Sequence, residues 1–245
     1  KTFAFIKATE SNNFTDNQFA ANWINAKSAG LYRGAYHFYR FGVSPVEQAD
    51  HFLSVVGADR GELPLVVDVE DTKVDRPNIN ELKQFIDIIT ERTKRKPITY
   101  SAKWYWNIAR WGLPIAWAKD YDLWVAHYDA VTPSLPADWT SWIFHQYSNK
   151  GKVDGIKADV DLNYFNGTEV ELAEYSGPIP SPPSVWTGIR SVHCRADGGR
   201  LRAIDKQAVQ LAQPVLNGFK LMSTSAKEDA PDLISMGIPV RNILM

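Results

Sequence analysis

The stretch LPLVVDVEDT, residues 63–72, ends an apolar run with three carboxylates in four positions, Asp68, Glu70 and Asp71. A continuous apolar run is typical of a parallel strand that is buried on both faces. Such a strand does not normally finish in like charges, because neighbouring carboxylates repel one another and resist removal from water. Either the strand passes directly into solvent here, or the carboxylates have a chemical role.

Strands and helices alternate around this stretch in the first hundred residues. Apolar runs predict strands at 3–9, 33–41, 63–70 and 96–102. Helical patterns separate them, and a short aromatic helix is predicted at 103–111. Because strand–helix–strand alternation is the signature of a parallel sheet, we expect these strands to lie side by side and to run in one direction.

Helix start and stop signals support this alternation. Residues 15–18 (TDNQ) and 44–47 (SPVE) have the form of capping boxes, in which side chains satisfy the free N–H groups of the first helical turn. Gly30 is well placed to end the first of these helices, and Asn78 opens a third helix.

The pattern changes in the second half of the chain. Strands are predicted at 122–129, 141–148 and 158–165, and the segments between them contain Pro, Gly and Asp but no helical period. We therefore expect the last strands to pair as hairpins. The predicted fold is α/β: an irregular, TIM-like (β/α) barrel of seven strands, with helices between the early strands and hairpin-like late strands.

The segment SGPIPSPPS, residues 176–184, is predicted to be a semi-rigid linker because it is rich in proline and serine. It separates a first domain at 1–175 from a partial α/β domain at 185–245, for which helices are predicted near 203–214 and 227–236. Both ends of the sequence lie inside strand-like patterns, so we expect a fragment of a longer chain.

Composition excludes several classes of function. The net charge of −1 gives no reason to expect nucleic acid or an anionic membrane as a partner. No apolar run reaches the roughly 18 residues needed to span a bilayer. The single cysteine, Cys194, excludes an internal disulfide and a cysteine-based zinc site, and no H-E-x-x-H motif is present. We expect neither a metal nor a cofactor.

The carboxylates at the end of residues 63–72 favour acid–base chemistry. Asp68 and Glu70 are two positions apart on a strand, so their side chains share a face, whereas Asp71 points the other way. In a barrel, the carboxyl ends of strands form the mouth where catalysis occurs. Two carboxylates in one desolvated cleft cannot ionise independently, and one of them can act as the proton donor that glycoside hydrolysis requires. The alternative interpretation is a solvated strand end.

A second acidic strand, ADVDLNYF at 158–165, repeats this combination of apolar residues and carboxylates through Asp159 and Asp161. Taken alone, this segment is more consistent with a turn than with a site. The histidines His37 and His127 lie in aromatic strands, and we interpret them as core or cleft-wall residues rather than metal ligands.

Six blocks then occur in order: FAFIKATE, GAYHFYRF, LPLVVDVE, LWVAHY, HQYS and VDLNYF. Together they resemble the family-25 glycoside hydrolases, the N-acetylmuramidase lysozymes of bacteria, phages and some fungi, over about residues 1–166. The resemblance implies that Glu70 is the general acid, that Asp68 is the supporting carboxylate and that Asp161 is the acidic residue of the last strand. Six further residues fall in blocks that line the cleft of that family: Lys7, Glu10, Tyr36, Tyr100, Trp124 and Gln146.

The function implied by this resemblance is cleavage of the β-1,4 bond between N-acetylmuramic acid and N-acetylglucosamine in the glycan strands of peptidoglycan. The site of action would then be extracellular or in the cell wall, for a secreted bacterial enzyme or a phage endolysin. The family also places an Asp on a first strand resembling G-I-D-V-S, which would precede Lys1. Two mechanisms remain open. Either the N-acetyl oxygen of the substrate is the nucleophile, or an Asp attacks directly.

Two other classes of protein remain open. A glycan-binding pseudoenzyme would share the fold but lack catalysis, and the intact Asp68 and Glu70 pair opposes it. A wall amidase or peptidase would need a zinc site or a Cys/His site. The adjacent residues His193 and Cys194 do not provide one, because neighbouring residues of a strand point to opposite faces.

Overall fold

The computed structural model describes residues 1–74, 77–109 and 113–177, together with the backbone of residues 194–197 and 200–203. The chain divides into two compact units, Lys1–Ile179 and Pro180–Met245. The predicted boundaries at 176–184 fall mostly outside the described residues, so this division into domains stays a prediction.

The first unit alternates strands and helices over its first half and then becomes strand-rich. Its elements in chain order are β1 (Phe3–Glu10), β2 (Phe14–Thr15), α1 (Phe19–Ser28), β3 (Tyr32–Phe38), α2 (Pro45–Val56), β4 (Val66–Asp68), α3 (Ile79–Thr93), β5 (Ile98–Ala102), α4 (Lys103–Ala109), a 3-10 turn (Ala118–Asp120), β6 (Leu123–Ala126), β7 (Phe144–Gly151), β8 (Val160–Phe165) and α5 (Glu169–Ser176).

These strands form one curled sheet with the order β2-β1-β3-β4-β5-β6-β7-β8. Neighbours from β1 through β3 to β7 are parallel, whereas β2 and β8 are antiparallel to their partners. The carboxyl ends of six parallel strands therefore meet at one end of the sheet, where sites of α/β proteins form. The mixed, barrel-like α/β fold predicted from the sequence is confirmed.

The prediction for the late strands is only partly right. β7 and β8 do form an antiparallel hairpin, with Gln146 opposite Asn163. β6 and β7 are parallel instead, with Trp124 opposite Phe144. The connection between them, residues 127–143, exceeds the dozen residues that a parallel crossover needs, and the crossover is made without a helix. The sheet also holds an eighth strand, β2, which the sequence did not predict. Its two residues are too few to show a periodic pattern.

Helix ends follow the sequence signals with one exception. The Oγ of Ser44 accepts a hydrogen bond from the Glu47 N–H, and Gly30 adopts a φ of +74° just beyond α1, as predicted. The capping box predicted at residues 15–18 is wrong: Gln18 is the N-cap of α1 and gives no side-chain cap. Asp16 instead accepts from the Gln18 N–H at 2.8 Å, which closes a local turn before the helix.

A buried ion cluster lies at the amino ends of the strands, opposite the mouth. Arg33, near the start of β3, is fully buried and donates to both oxygens of Glu62 and to Asp59. The guanidinium carbon lies 4.4 Å from the ring centroid of Trp23. A buried charge is tolerated only when it is paired in this way, so removal of one partner is expected to destabilise the fold.

The second unit contains an antiparallel pair, β9 (Cys194–Asp197) and β10 (Arg200–Ala203), which the sequence did not predict. Residue 203, predicted to begin a helix, ends a strand. The other elements predicted for 185–245, and His193, lie outside the described residues. Across the described parts of the chain, every helix is too short or too polar to cross a membrane.

Candidate active site

A cavity of about 570 Å³ opens inside the curled sheet. It is lined by residues from seven of the strands, by the loop before β8 and by the first residues of the chain. Seven of the nine predicted site residues are among them: Tyr36, Asp68, Glu70, Tyr100, Trp124, Gln146 and Asp161. Sequence positions that are up to 125 apart therefore meet in one concave surface, which is the arrangement expected of a ligand site.

Asp68 is the last residue of β4 and is almost completely buried. Its Oδ1 atom has no hydrogen-bond partner among the described residues. Burial, and then the charge of Glu70, raise the pKa of Asp68 well above its ordinary value. A buried carboxyl oxygen without a partner is costly, and Asp68 is one of the residues that line the cavity.

Glu70 lies two residues further along and is half-buried at the cavity wall. Burial raises its pKa, and so does the charge of Asp161, whereas the Lys7 ammonium partly lowers it. Asp161 stands on β8 across the cavity, and partial burial raises the pKa of its carboxyl group as well. The sequence expectation that Asp68 and Glu70 share one face is confirmed, since both line the cavity. The charge of Glu70 raises the pKa of Asp68, and the charge of Asp161 raises the pKa of Glu70.

Hydrogen bonds fix the aromatic floor of the cavity. The hydroxyl groups of Tyr100 and Tyr128 both donate to the Gln146 Oε1, at 2.8 and 3.0 Å. The Trp124 Nε1 donates to the Asn163 Oδ1 at 2.8 Å. Because each polar group on this floor is held by another strand, the surface is already organised before a ligand arrives.

The tyrosines of the cavity stay protonated. Burial raises the pKa of Tyr36 and of Tyr100, and the charges of Asp68 and Glu70 raise both further. Tyr100 already donates its hydroxyl hydrogen to Gln146, so the neutral phenol of Tyr36 is the one that can donate to a carboxylate or to a sugar hydroxyl.

Lys7 and Glu10, also predicted from the sequence, do not line the cavity. They form an ion pair at 2.8 Å beside it. Arg40 follows β3 and contacts Glu10 at 2.5 Å and Asp71 at 2.6 Å. Asp71 is therefore bound outside the cavity. This agrees with the prediction that its side chain points to the face opposite Asp68 and Glu70.

Sequence reasoning missed Arg40, Tyr128 and Asn163 as parts of the site. All three lie inside the blocks quoted for the family resemblance, at or near strand ends. Position at the carboxyl end of a strand was the available signal, but residue type alone did not separate them from ordinary polar positions.

His37 has the surroundings of a core residue. His37 is fully buried, where its ring nitrogens contact the Thr9 Oγ1 at 2.8 Å and the Gln48 Oε1 at 3.2 Å. Burial lowers the pKa of His37 to about 3, so the ring is neutral. The interpretation of His37 as a core residue is confirmed. Within the described residues, no group of three or more His, Cys, Asp or Glu side chains is arranged to hold a metal ion.

Comparison with known proteins identifies the family to which this fold belongs. The family model described as glycosyl hydrolases family 25 matches residues 2–156. The chain belongs to glycosyl hydrolases family 25. This match covers β4, which ends at Asp68, and Glu70 just beyond it, and it ends just before β8.

Curated relatives of this family-25 chain include lysozyme M1 of Streptomyces globisporus, which is 38% identical over 186 residues, with 70% of this chain and 62% of the relative covered. An uncharacterised protein of Escherichia coli O6:H1, YegX, is 38% identical over 183 residues, with 74% of this chain and 65% of the relative covered. This chain thus spans less than two thirds of the length of these relatives.

Solved structures agree with the family-25 fold. A bacterial lysozyme from Streptomyces coelicolor matches with a TM-score of 0.66 and 35% identity, covering 71% of this chain and 86% of that one. A family 25 glycosyl hydrolase from Bacillus anthracis matches with a TM-score of 0.62 and 33% identity, covering 72% and 83%. The resemblance inferred from the six sequence blocks is confirmed.

Proposed function

We propose that this chain is a peptidoglycan hydrolase of the lysozyme type, an N-acetylmuramidase that cleaves the β-1,4 bond between N-acetylmuramic acid and N-acetylglucosamine. The observation that carries the proposal is the convergence of Asp68, Glu70 and Asp161 on one cavity in a family-25 fold. The lysozyme names of a curated relative and of a solved neighbour support the same substrate class.

Glu70 is the proton donor in this proposal. It is half-buried, so a substrate can reach it, and burial and Asp161 raise its pKa toward the range in which a carboxyl group keeps its proton near neutrality. Its proton passes to the glycosidic oxygen as the C–O bond breaks. The resulting carboxylate then takes a proton from the water that attacks the anomeric carbon, which restores the starting form.

Asp68 and Asp161 stabilise the positive charge that develops at the sugar ring. Asp68 has a buried oxygen without a partner, suited to accept a hydrogen bond from an amide N–H. This feature favours a route in which the 2-acetamido oxygen of the substrate attacks the anomeric carbon while Asp68 holds its N–H. A direct attack by an Asp carboxylate is the second route.

The two routes leave different evidence. Acetamido participation predicts competitive inhibition by a muramic acid thiazoline and no covalent adduct on the protein. Direct attack predicts a glycosyl–aspartate adduct when a slow substrate is trapped and the intact mass is measured.

Product analysis tests the function itself. Purified peptidoglycan is digested, the new ends are reduced with borohydride, and the reduced sugar is identified by mass spectrometry. Reduced muramic acid is the expected result. Glu70→Gln should lower the rate by about 10²–10⁴-fold, whereas Glu91→Gln, the same change at an exposed position on α3, should leave it unchanged.

Two results would contradict the proposal. Reduced glucosamine would show that the opposite bond is cleaved. An absence of new ends, with binding to the wall retained, would favour the glycan-binding pseudoenzyme.

The place of action proposed here is extracellular or in the cell wall. A solved neighbour titled as the CTP1L endolysin, with 26% identity and a TM-score of 0.59, supports a wall-directed activity. We also propose that residues 1–175 form the catalytic domain.

A further inference from the structure

An irregularity in β1 places two opposite charges together. The pairing of β1 with β3 is regular up to Lys7 and shifts before Thr9, so that Ala8 is an extra residue in the strand. Such a bulge re-aims the side chains that follow it. Thr9 consequently contacts His37 on the helix-covered face, and Glu10 lies on the same side as Lys7, with Nζ and Oε2 2.8 Å apart.

Lys7 and Glu10 are part of a neutral four-charge cluster, defined as Lys7, Glu10, Arg40 and Asp71. Arg40 donates to the Glu10 Oε1 through Nε at 3.0 Å and Nη2 at 2.5 Å, and to the Asp71 Oδ1 through Nη1 at 2.6 Å. Both cations also lie over the ring of Phe38, at 5.3 and 4.3 Å from its centroid. Two positive and two negative charges therefore hold one another in fixed positions.

The cluster adjoins the catalytic carboxyl groups. The charge of Lys7 lowers the pKa of both Asp68 and Glu70. At Asp68, the charge of Glu10 acts in the opposite direction, and the charge of Arg40 acts in the same direction as that of Lys7. The charges of the cluster therefore influence the pKa values of Asp68 and Glu70.

We propose that Glu10 is a positioning residue that ties Lys7 into a neutral cluster and so sets the pH range in which Glu70 carries its catalytic proton. Without the Glu10 carboxylate, the cluster would have one excess positive charge, and the freed ammonium group would turn toward the cavity carboxylates. An adjacent cation favours their ionised form, and the proton donor would be lost at lower pH. The inference rests on the acid–base role proposed above for Glu70.

Other titratable groups also face the two carboxyl groups, and the test must hold them constant. They are Asp161 on β8, Tyr36 on β3, Tyr100 on β5, Tyr105 on α4 and Tyr128 after β6. None of them belongs to the four-charge cluster, so changing a cluster member leaves each of their side chains in place.

The experiment compares the pH dependence of kcat/KM on peptidoglycan for the wild-type chain, Glu10→Gln, Lys7→Met and the double variant. One unit charge within about 10 Å changes a carboxyl pKa by about half a unit to one unit. We expect the basic limb to move to lower pH by that amount in Glu10→Gln and to higher pH in Lys7→Met. The double variant, in which the cluster is neutral again, should return close to the wild-type profile.

Matched controls use the exposed Lys83–Asp87 pair on α3. Lys83→Met and Asp87→Asn change the net charge by the same amounts and should leave the basic limb in place. Shifts in the same direction for Glu10→Gln and Lys7→Met, or lower rates with an unmoved profile in folded variants, would overturn the inference.

A second measurement does not need activity. Carboxyl ¹³C titration by NMR follows the Asp and Glu side chains of the same four proteins directly, and the same opposite shifts are expected for Asp68 and Glu70. If the wild-type chain proves inactive, the proposed function fails, and the titration still decides the role of Glu10. Unmoved titrations would refute that role.

Discussion

The buried ion cluster at the amino ends of the strands predicts an unequal response to two similar substitutions. Arg33 contacts Glu62 and Asp59, but the Glu62 side chain is 2% exposed, whereas the Asp59 side chain is 46% exposed. Glu62 also accepts the Arg33 backbone N–H at 2.9 Å, the Nε at 3.1 Å and the Nη2 at 2.8 Å. Glu62→Gln replaces one carboxylate oxygen by an NH2 group that faces N–H donors.

The free energy of unfolding should therefore fall much further for Glu62→Gln than for Asp59→Asn. Breaking a buried ion pair costs about 3–5 kcal/mol. We expect about 3 kcal/mol for Glu62→Gln, because Asp59 continues to pair with Arg33. An exposed, screened pair contributes about 0–1 kcal/mol, which is the loss expected for Asp59→Asn. In a unit of this size, about 3 kcal/mol corresponds to about 6–12 °C in Tm.

Thermal unfolding followed by circular dichroism measures both variants of the full chain. Activity per folded molecule at 25 °C should stay at the wild-type level, because the cluster lies at the end of the strands opposite the cavity. Equal losses of stability in the two variants would refute the argument from burial. A large loss of activity at 25 °C in a folded Glu62→Gln protein would show that the two ends of the strands are coupled.

Three further predictions follow from single contacts. Tyr105→Phe removes a 2.8 Å hydrogen bond to the Asp71 carbonyl oxygen, and urea denaturation should show a loss of about 1 kcal/mol. Gly61→Ala should cost clearly more than Gly30→Ala in the same assay. Both residues have positive φ, but only at Gly61 would a Cβ lie 2.4 Å from a backbone carbonyl oxygen. The pKa of His37 is lowered to about 3 by burial, so protonation favours the unfolded chain. Stability should decline as the pH falls below about 6.5, by about 2 kcal/mol at pH 5, and His37→Gln should flatten that decline.

Local patterns were sufficient to predict that Asp68 and Glu70 face one cavity and to predict the early half of the fold. Successive side chains of an extended segment point to opposite faces, so Asp68 and Glu70 share one face and Asp71 lies on the other. This holds without knowledge of which strands lie beside the segment. Caps such as Ser44 depend on three or four consecutive residues, which a sequence displays directly. Features of this kind need no knowledge of tertiary contacts.

Features that depend on distant pairing could not be predicted in the same way. The direction of β7 relative to β6 is decided by the path of residues 127–143, which carries no periodic signal. The bulge at Ala8 is visible only in the register against β3. A regular strand would place Lys7 and Glu10 on opposite faces, so their contact could not have been derived from alternation.

The three carboxylates that end residues 63–72 have three different environments, and the difference explains why an apolar strand finishes in like charges. Asp71 is bound by Arg40 at 2.6 Å and by the Phe41 N–H at 3.2 Å, so its charge is balanced within the fold. Glu70 is half-buried beside Asp161, where its proton is held more tightly. Asp68 is buried with an oxygen that has no hydrogen-bond partner among the described residues. Folding gains nothing from that oxygen, because an unpartnered buried carboxyl group destabilises the native state. In the mechanism proposed above, the amide N–H of an N-acetylated sugar would supply a donor for that oxygen.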